Sequence, residues 1–273
     1  MFIEDDYMIN IGFIGAGNMG TAIMKGIFKS ELVKNLSVFA TDIDTDKINS
    51  LKEFGVEPAV NAAEICKKCK FIFLAVKPQM FDDLLDNISE YVTKDTVIVS
   101  IAAGITAEYI KSKTMPDAKV ILVMPNTPLL LGEGATALAQ VEPVNDEEFS
   151  LVCNIFASCG EIAVINKEKM KEIIAINGSS PAFIYLFAKG FIDYAKAQDI
   201  SEDVAKTLFA KSLIGSAKMI TDSGYSIDEL IKMVSSPGGT TLKGLDELYK
   251  GNLTGIVDNA CDACTKRAYE LSK

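Results

Sequence analysis

Ile9-Asn10-Ile11-Gly12-Phe13-Ile14-Gly15-Ala16-Gly17-Asn18-Met19-Gly20 decides how this chain is read. An uncharged, mostly apolar run breaks into three glycines spaced G-x-G-x-x-G, and an amphipathic stretch follows to Ser30. A short apolar run closed by glycine reads as a buried strand, and the stretch after it reads as a helix. In a strand–turn–helix setting each glycine has a separate use. Gly15 permits the tight turn, Gly17 lets backbone amides approach a pyrophosphate, and Gly20 lets helix and strand pack closely. The helix N-terminus at Ala16, Asn18 and Met19 then supplies partial positive charge without a basic side chain. Without its flanking strand and helix the motif would be an ordinary glycine-rich turn; with them it points to dinucleotide binding.

Such a unit carries an acidic residue at the end of its second strand, about 20 residues on. Asp42 stands there, closing the apolar run Leu36–Ala40. A carboxylate at that point bonds the adenosine ribose diol and repels a 2′-phosphate. Arg267 is the one arginine of the chain, so only Lys47 and Lys52 lie near enough to offset that repulsion. The reading leans toward NADH over NADPH. The competing role for Asp42 is to cap a helix beginning near Asp44.

Working outward, further strands are expected at Glu57–Val60, Phe71–Val76, Thr96–Ile101 and Val120–Met124, with helices over 46–54 and 62–68 and one opening after Lys77-Pro78. Strands alternating with helices imply a parallel sheet covered on both faces. After about residue 165 the strands cease, and helical spacing continues over Met170–Ile176, Ala182–Gln198, Val204–Asp222, Ile227–Val234, Thr241–Lys250 and Ile256–Ser272. Ser201, followed by Glu202 and Asp203, marks a helix start. The expected fold class is α/β: a Rossmann-type, doubly wound parallel sheet over 1–165 and an all-helical domain over 166–273. Ile173, Ile174, Ile176, Phe183, Ile184, Leu186, Phe187, Phe191 and Ile192 give the first helices of that domain more apolar surface than one face needs, which calls for subunit association.

Composition narrows the chemistry. At 273 residues, 49% apolar and 23% charged, the chain is an ordinary globular length and mixture, able to bury about three quarters of its unfolded surface. It has no histidine and no tryptophan. Ser-His-Asp and Cys-His nucleophile systems, HExxH proteases and His-ligated metals are therefore excluded. A net charge of −10 with a single arginine argues against nucleic acid as a partner. No apolar run approaches the roughly 20 residues that span a bilayer, and the start, Met1-Phe2-Ile3-Glu4-Asp5-Asp6, is acidic, opposite to a signal peptide. A soluble, cytoplasmic protein is expected. Cys66 and Cys69 form one C-x-x-C, Cys261 and Cys264 another, but they stand at opposite ends of the chain and inside helical patterns. Thiols in a reducing compartment are expected there, and no metal.

The residues now carry a resemblance. Ile11–Gly20, Ala75-Val76-Lys77-Pro78, Ala102-Ala103-Gly104 and Asn126-Thr127-Pro128 resemble the cofactor domain of pyrroline-5-carboxylate reductases. Val234-Ser235-Ser236-Pro237-Gly238-Gly239-Thr240-Thr241, followed by Gly244-Leu245, looks like that family's signature segment. The front motif is shared by many dehydrogenases, whereas the Ser-Ser-Pro-Gly-Gly-Thr-Thr segment is far more specific. The resemblance implies NAD(P)H-dependent reduction of 1-pyrroline-5-carboxylate to L-proline, the last step of proline synthesis. It also implies a homodimer formed through the helical domain, with dimers often assembled into decamers. Two departures stand out. The chain has Gly178-Ser179-Ser180-Pro181-Ala182-Phe183 where the family usually shows Gly-Ser-Gly-Pro-Ala-Tyr, and Asp42 where NADPH-using members tend to carry a neutral polar residue. About seven residues, Met1–Tyr7, precede the usual start, and Met8 is an alternative one.

Reduction of an imine needs a hydride, which a nicotinamide carries, a fixed geometry, and a hydrogen bond at nitrogen. The resemblance places Thr241 at the ring nitrogen, as proton donor or as orienting contact. Ser236, Gly238, Gly239 and Thr240, at a helix N-terminus, suit the substrate carboxylate; the alternative is a plain Pro-Gly linker. The loops Ala75–Pro78, Ala102–Gly104 and Asn126–Pro128 follow strands and should line the cofactor. Lys77 either approaches the dinucleotide or is a solvated loop lysine. The amide of Asn126 and the hydroxyl of Thr127 suit the nicotinamide carboxamide. Asn61 resembles a family residue near the adenosine end, or is simply a cap. Two competing functions stay open: a related two-domain dehydrogenase, which generally needs a catalytic lysine on the first long helix where only Lys189 is offered, and a non-catalytic dinucleotide sensor, which would not need the Ser235–Thr241 segment.

Overall fold

A computed structural model describes residues 8–272, and the leading segment with its choice of start lies outside them. The chain divides into two compact units, one running to Pro181 and resuming at Ala263, the other Ala182–Asp262.

The first unit is built on one sheet: β1 (Ile9–Ile14), β2 (Leu36–Thr41), β3 (Glu57–Pro58), β4 (Phe71–Leu74), β5 (Val97–Ser100), β6 (Lys119–Met124), β7 (Gly134–Val141) and β8 (Gly160–Val164), in the order β3-β2-β1-β4-β5-β6-β7-β8. From β3 to β6 every pairing is parallel, and the crossovers carry α1 (Asn18–Lys29), α2 (Thr45–Leu51), α3 (Ala62–Lys68), α4 (Phe81–Ile88) and α5 (Ala107–Lys113). The chain leaves β1 toward β2 and later returns beside it at β4. That is the switch point outside which α/β sheets bind ligands.

The strands are buried on both faces, so they read as continuous apolar runs, not as alternation. On one face Ile11, Phe13, Phe73 and Val99 meet Ile23, Met24 and Ile27 of α1 and Val152, Ile155 and Phe156 of α6 (Asp146–Ala157). Phe13 and Phe73 stack there with ring centroids 4.5 Å apart. On the other face Ile72, Leu74 and Ile98 meet Ile65 of α3, Phe81, Leu85 and Ile88 of α4 and Ile110 of α5. Each fully buried side chain of this kind contributes about 1.5–3 kcal/mol. The two layers fix where the strand ends point.

Three elements between 125 and 165 have no counterpart in the sequence expectation: β7, α6 and β8. β7 runs antiparallel to β6, and β8 parallel to β7. The expected strand Phe71–Val76 is shorter in the structure, Phe71–Leu74, and its parallel ladder with β1 closes on the Ala75 amide, which donates to Ile14 O at 2.9 Å. The expected helix Met170–Ile176 is replaced by a 3₁₀ turn at Lys167–Lys169 and a π turn at Ile174–Gly178. Asn177 holds this wider turn by donating from Nδ2 to Met124 O at 2.7 Å and Ala135 O at 3.0 Å.

The second unit is helical. α7 (Ser180–Ala197) and α11 (Leu253–Leu271) flank α8 (Glu202–Asp222), α9 (Ile227–Met233) and α10 (Thr240–Lys250). Ser201 caps α8 by accepting the Val204 amide, and Ser226 and Glu229 form a capping box on α9. Within Ala182–Asp262 only Ala195 and Ala205 are buried. The aromatic group Phe187, Phe191 and Phe209 stacks, with Phe191 and Phe209 centroids 4.3 Å apart, yet Phe187 and Phe191 stay 41% and 46% exposed.

Cys66 on α3 and Cys69 at its C-cap are buried, and burial pushes their thiols up to about 11 and about 12, so they are neutral at pH 7. Cys261 and Cys264 lie on α11. Among the described residues no group of three or more Cys, Asp or Glu is placed to hold a metal. No described helix is long and apolar enough to cross a membrane.

At the N-terminal edge of the sheet the Glu148 side chain, 3% exposed, takes Lys119 Nζ at 2.7 Å and Lys70 Nζ at 3.0 Å. Burial alone would raise its pKa, but the two ammonium groups and the Asn145 amide outweigh it and hold the carboxyl below its ordinary value. A lowered folded value gives stability that is present above the ordinary carboxylate range and is lost as pH falls through the folded value. Glu148→Gln should therefore cost about 1–3 kcal/mol in urea unfolding at pH 7. The gap to wild type should close on acidification; a gap that stays constant to pH 3 would refute the assignment.

Candidate active site

The turn after β1 is built from backbone contacts. Gly15 sits at φ +104°, and a Cβ there would lie 2.6 Å from Ala75 O. A Cβ on Gly20 would lie 2.6 Å from Gly15 O. Gly17, by contrast, has nothing within 4 Å of its Cβ position. Two glycines are thus filled against main chain and the middle one is open. Gly17 is also the N-cap of α1, which has no side-chain cap and no acidic residue in its first turn. The first amides of α1, from Asn18 to Gly20, have no intrahelical partner. This cradle fits a pyrophosphate.

Asp42 is tied into the same turn. Its Oδ2 accepts the Ala16 amide at 2.6 Å and its Oδ1 the Asp44 amide at 2.9 Å, with Lys47 Nζ 3.6 Å from Oδ1. The helix cap of α2 is Asp44, not Asp42. Asp42 therefore fixes the glycine loop to the end of β2, a contact that spacing did not announce. Each carboxylate oxygen keeps acceptor capacity for a ribose hydroxyl.

The other expected loops lie where strand ends put them. Ala75 and Val76 follow β4, and Lys77, exposed, precedes a short 3₁₀ turn opened by Pro78. Ala102, Ala103 and Gly104 follow β5, with Gly104 at φ +80°. Asn126 is buried, and its Oδ1 accepts the Ala135 amide at 2.9 Å, so that side chain also holds β7 in place. Thr127 is exposed and opens the 3₁₀ turn Thr127–Leu131, with Pro128 as its second residue. Asn61 caps α3 through the Glu64 amide at 3.0 Å.

In the helical unit Ser236-Pro237-Gly238-Gly239 is a hydrogen-bonded turn, the Gly239 amide donating to Ser236 O at 2.9 Å. Gly238 at φ +73° makes it type II, with proline and glycine at their preferred positions. Gly239 is then the N-cap of α10, again without a side-chain cap or an acidic first turn. Thr240 and Thr241 occupy that turn, both exposed. Lys189 on α7 is exposed and paired with Asp193, so the lysine that a hydroxyacid dehydrogenase would need has no special environment.

Two residues were not singled out by sequence: Asn177, which joins β6 and β7, and Ser100, the last residue of β5, whose buried Oγ has no partner. The signal for Asn177 was an amide at the end of the apolar run Ile173–Ile176. Ser100 gave none beyond its place at a strand end.

Comparisons with known proteins bear on the family and the fold. A family model described as pyrroline-5-carboxylate reductase dimerisation matches residues 167–271, and one described as NADP oxidoreductase, coenzyme F420-dependent, matches residues 10–104. A pyrroline-5-carboxylate reductase of Escherichia coli is 35% identical, with 96% of this chain and 98% of that protein covered. Pyrroline-5-carboxylate reductase 3 of Danio rerio is 33% identical over 98% of this chain and 93% of its own. The crystal structure of Plasmodium falciparum pyrroline carboxylate reductase with NADP bound superposes with a TM-score of 0.86 at 30% identity, covering 97% of this chain and 98% of that one. A pyrroline-5-carboxylate reductase from Coxiella burnetii gives 0.88 at 28% identity, covering 97% and 99%.

The three glycines should separate on substitution. Gly15→Ala forces a strained backbone into a carbonyl and should lower stability by about 1–3 kcal/mol or more. Gly17→Ala should cost no more than about 1 kcal/mol, the loss of a favourable N-cap, while weakening dinucleotide binding. Thermal melts with and without NADH read both effects; equal destabilisation by the two variants would contradict the open position of Gly17.

Proposed function

The chain belongs to the pyrroline-5-carboxylate reductase family, and from that premise we propose that it reduces 1-pyrroline-5-carboxylate to L-proline with a nicotinamide dinucleotide. The observation that carries this reading is the pairing of two uncapped helix N-termini on one chain, α1 behind an open Gly17 and α10 behind the Ser236–Gly239 turn. One suits a pyrophosphate and the other a small carboxylate.

The bound cofactor supplies a hydride to the imine carbon. Gly15, Ala16, Gly17, Asn18, Met19 and Gly20 hold its pyrophosphate, Asp42 its adenosine ribose, and Asn61 lies at the adenosine end. Ala75–Pro78, Ala102–Gly104 and Asn126–Pro128 line its path across the strand ends. Gly238 and Thr240 present main-chain amides to the substrate carboxylate, with the Ser236 hydroxyl beside them, while Gly239 closes the turn by donating its own amide to Ser236 O. Thr241 hydrogen-bonds the ring nitrogen. The proton that completes the amine comes from water, since an imine nitrogen is readily protonated there and the chain has no imidazole to relay one. Asp42 disfavours a 2′-phosphate, so NADH is the preferred reductant. The enzyme works in the cytoplasm as a homodimer formed through its helical domain, the unit from which decamers of this kind are built. An acidic, arginine-poor surface and neutral buried thiols support that setting.

Purified protein mixed with pyrroline-5-carboxylate should consume NADH faster than NADPH, followed at the nicotinamide absorbance. Asp42→Ser should move the kcat/KM ratio toward NADPH by about tenfold, ~1.4 kcal/mol. No oxidation of either cofactor would sink the reading, and an unmoved ratio would remove Asp42 from the ribose.

Thr241→Val should lower kcat by about 10–100-fold while leaving the KM for NADH within about twofold, the pattern of an interaction made at the reacting centre. A variant with wild-type kcat would exclude Thr241 from the nitrogen.

A further inference from the structure

We propose that Ser100 is a positioning residue for the nicotinamide end of the cofactor, its hydroxyl serving as hydrogen-bond partner of the carboxamide. This rests on the dinucleotide reading of the Gly15–Gly20 turn and names a residue that reading did not include.

Ser100 is 1% exposed, and its Oγ is buried with no hydrogen-bond partner. A buried hydroxyl left unpaired costs folding free energy. The pleat places Ser100 on the same face of β5 as Ile98, the face that Leu122 and Met124 present on β6. On that face a cavity of about 320 Å³ is bordered by Ser100, Ala102, Gly104, Leu122, Met170 and Tyr269. Of the three buried unpaired side-chain atoms among the described residues, those of Ser100, Glu172 and Asn177, only Ser100 belongs to a residue bordering it.

Position and chemistry both suit the carboxamide. β5 lies two strands from β1, about 10 Å at 4.7–4.9 Å per strand. From a pyrophosphate at α1, one ribose and its ring cover that span. The carboxamide offers an acceptor and a donor, and a serine hydroxyl can answer either. The outer wall of the cavity is fixed: Tyr269 donates to Glu172 Oε1 at 3.1 Å and lies under Lys171 Nζ at 4.4 Å. A Cβ on Gly104 would be 3.5 Å from Leu271 O, so the last turn of α11 also backs the nicotinamide loop.

The test compares full-length wild type and Ser100→Ala by fluorescence or calorimetric titration with NADH and with adenosine diphosphate ribose, which lacks the nicotinamide. Thermal melts without ligand accompany the titrations. The expected result is an NADH Kd raised about tenfold, ~1.4 kcal/mol, an unchanged Kd for adenosine diphosphate ribose, and a ligand-free Tm equal to or above wild type. Unchanged NADH affinity overturns the proposal, as does equal weakening of both ligands, which would place Ser100 in the loop's support. A lowered ligand-free Tm overturns it too, because the hydroxyl would then have a partner within the protein. If the discrimination holds but wild type does not reduce the imine, the proposal stands and the imine reading falls; if wild type binds neither ligand, both fall.

Discussion

The absence of two Cβ atoms governs the rest of the structure. Where Gly15 and Gly20 would carry one, a carbonyl oxygen stands 2.6 Å away. Gly15 N reaches Thr41 O at 2.8 Å, and Ala75 N reaches Ile14 O at 2.9 Å. The ends of β1, β2 and β4 and the start of α1 thus meet main chain to main chain. Any side chain at those two positions would push the helix off the sheet and move its free amides. Asp42 closes the same knot from the β2 side through the Ala16 amide. The resulting site draws its positive potential from backbone, which matters in a chain of net charge −10 with one arginine.

How much of this was legible follows from what each element depends on. β1, β2, β4, β5 and β6 could be read because both of their faces are buried, so each is a dense β-branched or aromatic run. β7 could not. Gly134-Ala135-Thr136-Ala137-Leu138-Ala139 has small residues and no clear period, and it is a strand because it pairs with β6, a tertiary fact. α6 was readable in principle, since Asn145 and Glu148 form a capping box ahead of an apolar stripe. The helix expected at Met170–Ile176 failed for a different reason: Asn177 gains two carbonyl acceptors by widening the turn. In the site, spacing located Asp42 and the glycines, and the Pro-Gly-Gly signature located α10's free amides. Contacts made through folding, such as Asp42 with Ala16 or Asn126 with Ala135, leave no trace in spacing.

A chain without histidine has no side chain whose unperturbed charge changes between pH 5 and 8. The perturbed groups here do not fill that gap: burial holds Cys66 at about 11 and Cys69 at about 12, and Tyr109 at about 12. Chemistry without an imidazole is easiest where the substrate brings its own protonatable nitrogen and the cofactor brings the electrons. Reduction of a cyclic imine meets both conditions. In the proposed reaction the Thr241 hydroxyl orients that nitrogen and need not ionise.

The helical unit makes the complementary argument about assembly. Helices of the length of α8 and α10 gain most of their stability from packing an apolar face, not from propensity. Ala182–Asp262 buries only two alanines, while Leu186 is 71% exposed, Leu208 65% and Val234 67%. At about 25 cal/mol per Å² of apolar surface, nothing inside that unit balances the entropy of ordering its residues. The missing burial has to be supplied by another copy of the chain, in keeping with the dimerisation family that matches residues 167–271. The signature turn Ser236–Gly239 sits between two of these under-packed helices. Its amides are held in place only as firmly as α9 and α10 are, and so the order of the proposed carboxylate site depends on association as directly as the fold does.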